Sequence, residues 1–115
     1  MLKIAKEEKE YRVELFQVNK FNMLFSDLVR DQLLELMEKP GTRVIFNLKD
    51  IRFIDSAGFD VLRDVSEHAA KTGCEFKLCN ITEDVRELIL LMELEGHFTF
   101  CSCEHTDEKI LLVLD

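Results

Sequence analysis

The sequence predicts a single α/β domain, a mixed and mostly parallel sheet of four to five strands with about four helices. Two observations carry this expectation. From Tyr11 onward, short apolar runs of strand length alternate with longer segments whose apolar residues recur at helical spacing. Residues that interrupt regular structure, Pro40, Gly41, Gly73 and Gly96, fall where those longer segments stop. Alternating strands and helices imply right-handed crossovers between parallel neighbours, with one antiparallel strand at the N-terminus.

The elements follow in order. Leu2 to Lys6 alternates weakly, and the polar run Glu7-Glu8-Lys9-Glu10 reads as a hairpin turn. Tyr11 to Val18 is the second strand, with Tyr11, Val13 and Leu15 on one side and Arg12 and Glu14 on the other. Asn19 to Asn22 leads into a helix for which Asn22 or Ser26 is the candidate cap. Phe25, Leu28, Val29, Leu33, Leu36 and Met37 share its inner face, while Asp27, Arg30, Asp31, Glu35 and Glu38 face outward. Pro40 cannot continue the helical hydrogen-bond ladder, and Gly41 permits the turn that follows. Val44 to Leu48, β-branched and aromatic, is a buried central strand.

Ser56 is placed as the N-cap of a second helix, Ala57 to about Lys71, with Val61, Leu62, Val65 and Ala69 inward and Gly73 as a left-handed cap. Cys74 to Cys79 is the next strand. Thr82 caps a third helix whose first-turn acids, Glu83 and Asp84, suit the helix dipole. Val85, Leu88, Ile89, Leu91 and Met92 are expected on its core face, Gly96 ends it, and His97 to Cys101 is a further strand. Thr106-Asp107-Glu108 is expected to cap a short helix from Ile110 to Leu114, although so continuous an apolar run suits a strand equally.

Composition bounds the function. A chain of 115 residues fits one domain, which at this size buries roughly two-thirds of its unfolded surface. The formal net charge of -8 argues against nucleic-acid binding, which needs a basic face, and favours a basic partner. The start Met1-Leu2-Lys3-Ile4-Ala5-Lys6 lacks the features of a signal peptide. No run approaches the roughly 18 apolar residues of a membrane span, so a cytoplasmic location without membrane insertion is expected. Cys74, Cys79, Cys101 and Cys103 are expected to be reduced thiols packed as small hydrophobes. His97, Cys101, Cys103 and His105 lack the spacing of a zinc knuckle, and neither a metal nor a cofactor is expected. Asp55-Ser56-Ala57-Gly58 lacks the glycine two residues before the serine of a nucleophile elbow. His68, His97 and His105 have no supporting motif as bases, so no enzymatic activity is expected.

Between the central strand and the second helix lies the candidate site. A hydroxyl at a helix entrance sits where free backbone N–H groups and the positive end of the helix dipole converge. A phosphate on Ser56 would find a natural anion site there, opposed by the neighbouring carboxylate of Asp55, a balance suited to a reversible mark. Gly58 would let a partner approach closely. The plainer alternative leaves Ser56 as a helix cap and Gly58 as a packing residue. Phe59 is either an exposed apolar anchor or part of the core.

The run Phe53-Ile54-Asp55-Ser56-Ala57-Gly58-Phe59, preceded by the strand Arg43 to Leu48, resembles the signature of the STAS domain, the family of bacterial anti-sigma factor antagonists. The similarity continues through Val61 and Leu62, the strand from Cys74 to Cys79 and the helix from Thr82 to Leu94 with Gly96 after it. The resemblance implies one STAS domain over residues 1–115, with Ser56 phosphorylated by a partner that is both serine kinase and anti-sigma factor. Asp55, Ala57, Gly58, Phe59 and Asn22 would form the partner-binding surface. It further implies that the unphosphorylated chain captures that partner and frees a sigma factor, and that a serine phosphatase restores the binding form. The alternative is a non-phosphorylated STAS subunit of a stress-signalling scaffold or a lipid transport complex. The chain carries Asn22 and Asn47 where acids are usual in the family.

Overall fold

The computed structural model of the protein describes residues 2–101 together with the strand Ile110–Leu114. In chain order the elements are β1 (Leu2–Glu7), β2 (Glu10–Leu15), β3 (Lys20–Phe21), α1 (Ser26–Leu36), β4 (Arg43–Asn47) and β5 (Phe53–Ile54). They continue with α2 (Ser56–Thr72), β6 (Glu75–Cys79), α3 (Glu83–Leu91), a single 3-10 turn (Glu95–His97), β7 (Thr99–Cys101) and β8 (Ile110–Leu114). β1 and β2 form the expected hairpin, in register from Leu2 opposite Leu15 to Glu7 opposite Glu10. β4, β6 and β7 then add in parallel, giving the order β7-β6-β4-β2-β1-β8. A separate parallel ribbon pairs β3 with β5.

The period-two alternation of the strands divides the sheet into two unlike faces. Val13, Leu15, Val44, Phe46, Phe76 and Leu78 point to one side, where they join Val29 and Leu33 of α1, Val61, Leu62 and Val65 of α2, and Val85 and Ile89 of α3 in one core. All three helices therefore cover the same face. The other face carries ion pairs, Lys3 with Glu14, Arg12 with Glu10, and Arg43 with both Glu10 and Glu75, around the buried Ala5, Ile45 and Cys79.

Several expectations are corrected. The segment Ile110–Leu114 is a strand, not a helix, and runs antiparallel to β1 with Leu2 opposite Leu114. The hairpin leaves one side of β1 without a partner, and pairing there satisfies backbone groups that a one-turn helix would have left open. Among the described residues the fold thus has three α-helices and a six-stranded mixed sheet. Neither Asn22 nor Ser26 caps α1. Phe25 is at the N-cap with no side-chain bond, Ser26 is a buried first-turn residue, and the Asn22 side chain accepts from the Leu24 N–H instead. Leu91 and Met92 are exposed, because Leu91 lies about 200° around the helix axis from the buried Ile89 and Met92 follows the last helical residue. His97 belongs to the 3-10 turn, so the strand begins only at Thr99.

Two caps stand where the sequence puts them. Thr82 accepts from the Val85 N–H at 3.3 Å, and Gly73 ends α2 at φ +73°, a conformation glycine adopts without strain. Cys74 is a buried free thiol facing the carbonyls of Met37 and Lys39, and Cys101 is free and half-buried. Cys79, expected as a reduced thiol, is disulfide-bonded. The cap expected at Thr106-Asp107-Glu108, and Cys103 and His105 of the zinc reading, lie outside the described residues.

Candidate functional site

The site is assembled by the short ribbon rather than by the central strand alone. In the ribbon Phe21 lies beside Ile54 and Lys20 beside Phe53. Just before and after it, the Arg52 N–H donates to the Asn19 carbonyl at 2.8 Å and the Asp55 N–H to the Phe21 carbonyl at 3.2 Å. These bonds clamp the 19–24 segment against the entrance of α2. A second clamp comes from α3: Thr82 donates its hydroxyl to the Ile51 carbonyl at 2.6 Å, and Arg52 pairs with Asp84 at 2.8 Å.

At the entrance itself Asp55, not Ser56, is the N-cap. Its backbone is extended at φ -85°, ψ -179°. One carboxylate oxygen accepts from the Gly58 N–H at 2.8 Å, and the other accepts from the Met23 N–H at 3.0 Å. A carboxylate serves here better than a hydroxyl because its two oxygens satisfy two donors at once and its charge suits the helix dipole. Ser56 is consequently the first helical residue. It is exposed, and among the described residues its hydroxyl makes no hydrogen bond. The N–H groups of Ser56 and Ala57, in the first turn, likewise have no protein acceptor among those residues, which leaves backbone donors free beside that hydroxyl.

Of the two roles open to each, Gly58 takes that of a packing residue and Phe59 that of a core residue. A Cβ on Gly58 would lie 2.7 Å from Ile54 Cγ2 and 2.7 Å from the Phe21 carbonyl oxygen. Gly58 is therefore the point where the first turn of α2 presses onto the ribbon, facing inward. Phe59 is 1% exposed and belongs to the core, so it offers no anchor to a partner. Ala57 and Asn22 are half-buried.

The exposed apolar residues here are ones the sequence reading passed over. Met23 is 73% and Leu24 85% exposed, and Phe53 is also exposed. Met23 is tied to the entrance of α2 through Asp55, which holds this apolar turn beside Ser56. A signal for the first two existed: both precede the start of α1, so they cannot join its buried stripe. His68 is about 18 Å along α2 from Ser56, too far to take its proton, and His105 lies outside the described residues. Among those residues, no helix is long and apolar enough to cross a membrane.

A family model, described as the STAS domain, matches residues 15–107, most of the chain. Solved structures with the same fold include an anti-sigma-factor antagonist (STAS) domain protein from Planctomyces limnophilus, at 14% identity and TM-score 0.75, covering 90% of this chain and 91% of that one. An anti-sigma factor antagonist from Mycobacterium paratuberculosis matches at 15% identity and TM-score 0.72, covering 87% and 83%. The anti-sigma factor antagonist SpoIIAA in its unphosphorylated form matches at 14% identity and TM-score 0.71, covering 88% of each chain. SpoIIAA, described as a Bacillus cell fate determinant, is also solved in a phosphorylated form.

Proposed function

The chain belongs to the STAS domain family, and from that premise we propose that it is an anti-sigma factor antagonist working as a protein-binding switch controlled at Ser56. The observation that carries the reading is the exposed, unbonded hydroxyl of Ser56 on the first turn of α2, next to the exposed apolar turn Met23-Leu24. In the unmodified form that turn and the half-buried Ala57 and Asn22 face the partner, an anti-sigma factor with serine kinase activity, and its capture releases a sigma factor. Asp55 takes part by holding Met23 in place. The protein acts by binding, without catalysing a reaction, and does so in the cytoplasm.

The chemistry of the switch follows from charge. A phosphate on Ser56 brings about -1.5 to -2 charge at neutral pH. The free N–H groups of the first turn stabilise it, but Asp55 repels it, and docking would bury it beside Met23 and Leu24, where desolvation is costly. Phosphorylation therefore weakens docking, and a serine phosphatase reverses the effect. The surplus of acids over bases in the chain suits a basic partner surface.

Phosphopeptide mapping after incubation with ATP in lysate of the source cells tests this directly. The expected result is a single phosphate on Ser56, absent from Ser56→Ala, with partner binding lost at least tenfold in Ser56→Asp and in Leu24→Asp. No phosphate, in a lysate that phosphorylates other proteins, would overturn the switch in favour of a non-phosphorylated subunit of a stress-signalling scaffold or lipid transport complex.

A further inference from the structure

Four of the exposed large apolar residues among those described gather at one place, the end of α3 and the adjoining edge strand β7. Leu90 is 52% and Leu91 80% exposed, and Met92 and Phe100 are exposed beside them. Leu90 is shared by two adjoining depressions. One, a groove of about 450 Å³, has an apolar floor that includes Leu78, Ile81, Ile89 and Phe100. The other is formed by Glu87, Leu90 and Leu91. A contiguous apolar surface of this kind, framed by polar residues, marks an interaction site more often than a random exposure does.

The frame says what the partner is. Glu87, Glu93 and Glu95 are exposed along α3 and the turn after it, and among the described residues none is ion-paired, whereas Glu10, Glu14, Glu75 and Asp84 all are. Among the described residues, Arg86 is the one cation that lines the groove. Glu87 and Glu95, each lining one of the two depressions, and Glu93, exposed in the turn between them, complement a segment that presents apolar residues on one side and Lys or Arg at its margins. They disfavour a second copy of this chain, since a two-fold contact would set acidic rim against acidic rim, and they disfavour an anionic lipid surface for the same reason.

We propose that the C-terminal end of α3, with β7, is a second docking surface, whose occupant is a basic amphipathic helix of another protein. Such a helix lays residues spaced i, i+3/i+4 into the groove, and its flanking cations meet Glu87, Glu93 and Glu95. The surface is separate from the switch. α3 starts beside Arg52, and Leu91 lies about 12 Å further along its axis from Glu83. Occupancy is therefore independent of the state of Ser56, and the protein can hold one partner while the other is released.

The test is an amide NMR titration of the full chain with an 18-residue Leu/Lys amphipathic helical peptide. A peptide of the same composition scrambled to remove the apolar face, and a Leu/Glu counterpart, serve as controls. The expected result is a set of shifts centred on the last turn of α3 and on β7, with at least tenfold weaker binding in Leu91→Asp and in the combined Glu87→Lys, Glu93→Lys and Glu95→Lys variant. Ser56→Asp should change the affinity less than twofold. The exposure of Leu91 predicts an unchanged fold for Leu91→Asp, and the charge-reversal variant decides the matter if that protein does not fold. Shifts centred elsewhere, no binding at millimolar peptide, or equal binding by either control peptide would overturn the proposal. So would a dimer in sedimentation that Leu91→Asp dissociates, which would identify a second copy as the occupant.

Discussion

Gly58 and Phe59 are adjacent residues of one signature, and both turn inward. For Gly58 the reason is contact: a methyl group there would collide with Ile54 Cγ2 and with the Phe21 carbonyl, each 2.7 Å away, and a carbonyl of the ribbon cannot swing aside as a side-chain end can. Gly58→Ala is therefore expected to destabilise the fold by roughly 1–3 kcal/mol through overpacking, measured as a lower urea midpoint. Ser56→Ala, at an exposed position without a hydrogen bond, should stay within about 0.5 kcal/mol of the parent. That contrast separates the residue that builds the site from the one that displays it. The sequence shows that small and apolar residues follow Ser56. It does not show how α2 is rotated about its axis, and that rotation decides which of them a partner can touch.

At the scale of elements, Asp55 is the joint between the ribbon, the apolar turn and α2. Its carboxylate bonds the third N–H of α2 and the Met23 N–H, which comes from 32 residues earlier in the chain. Asp55→Ala removes both bonds, and the expected cost is about 1–2 kcal/mol, the range of a lost N-cap. Hydrogen exchange should report it specifically, with faster exchange at Met23 and Gly58 and little change in β4 or β6. If Met23 keeps its protection, the carboxylate is a cap alone and does not hold the apolar turn. α3 teaches a related lesson. Its periodicity identifies Val85 and Ile89 as core, and both are buried. Leu91 faces the other way, about 200° around the axis from Ile89, and Met92 follows the last helical residue, so both reach solvent.

Across the whole molecule, the two faces of the sheet divide the labour. The helix-covered face supplies the core, and the opposite face ties strands together by charge. There Arg43 of β4 reaches Glu75 of β6 at 2.6 Å and Glu10 of β2 at 3.3 Å, spanning three parallel strands. The hydrogen bond from Arg43 holds the Glu75 carboxyl below its usual range, with the charge of Arg43 acting in the same sense. A carboxyl whose folded pKa is depressed contributes stability above its unfolded value, near 4.5, and loses it as the pH falls through the folded value. Both side chains are about half exposed, so solvent screening limits the pair to at most about 1 kcal/mol. Urea midpoints of Glu75→Gln and the parent should thus differ slightly at pH 7, converge below pH 4, and differ less at high salt. A gap that persists at pH 2 would assign the effect to packing instead of charge.

The features legible in the sequence are the ones that local physics controls. The succession of the long strands and helices from β1 to α3, the caps at Thr82 and Gly73, and the start of α2 at Ser56 depend on residues close together in the chain, whose periodicity and hydrogen-bonding chemistry are visible there. Tertiary structure decided the rest. Asp55 and Ser56 are adjacent and both competent caps, and the Met23 N–H, a donor delivered by the ribbon, favours the side chain with two acceptor oxygens. Ile110–Leu114 became a strand because β1, at the far end of the chain, had an open edge to pair with. Phe59 entered the core because burial depends on what lies opposite a side chain, and sequence spacing carries no record of that.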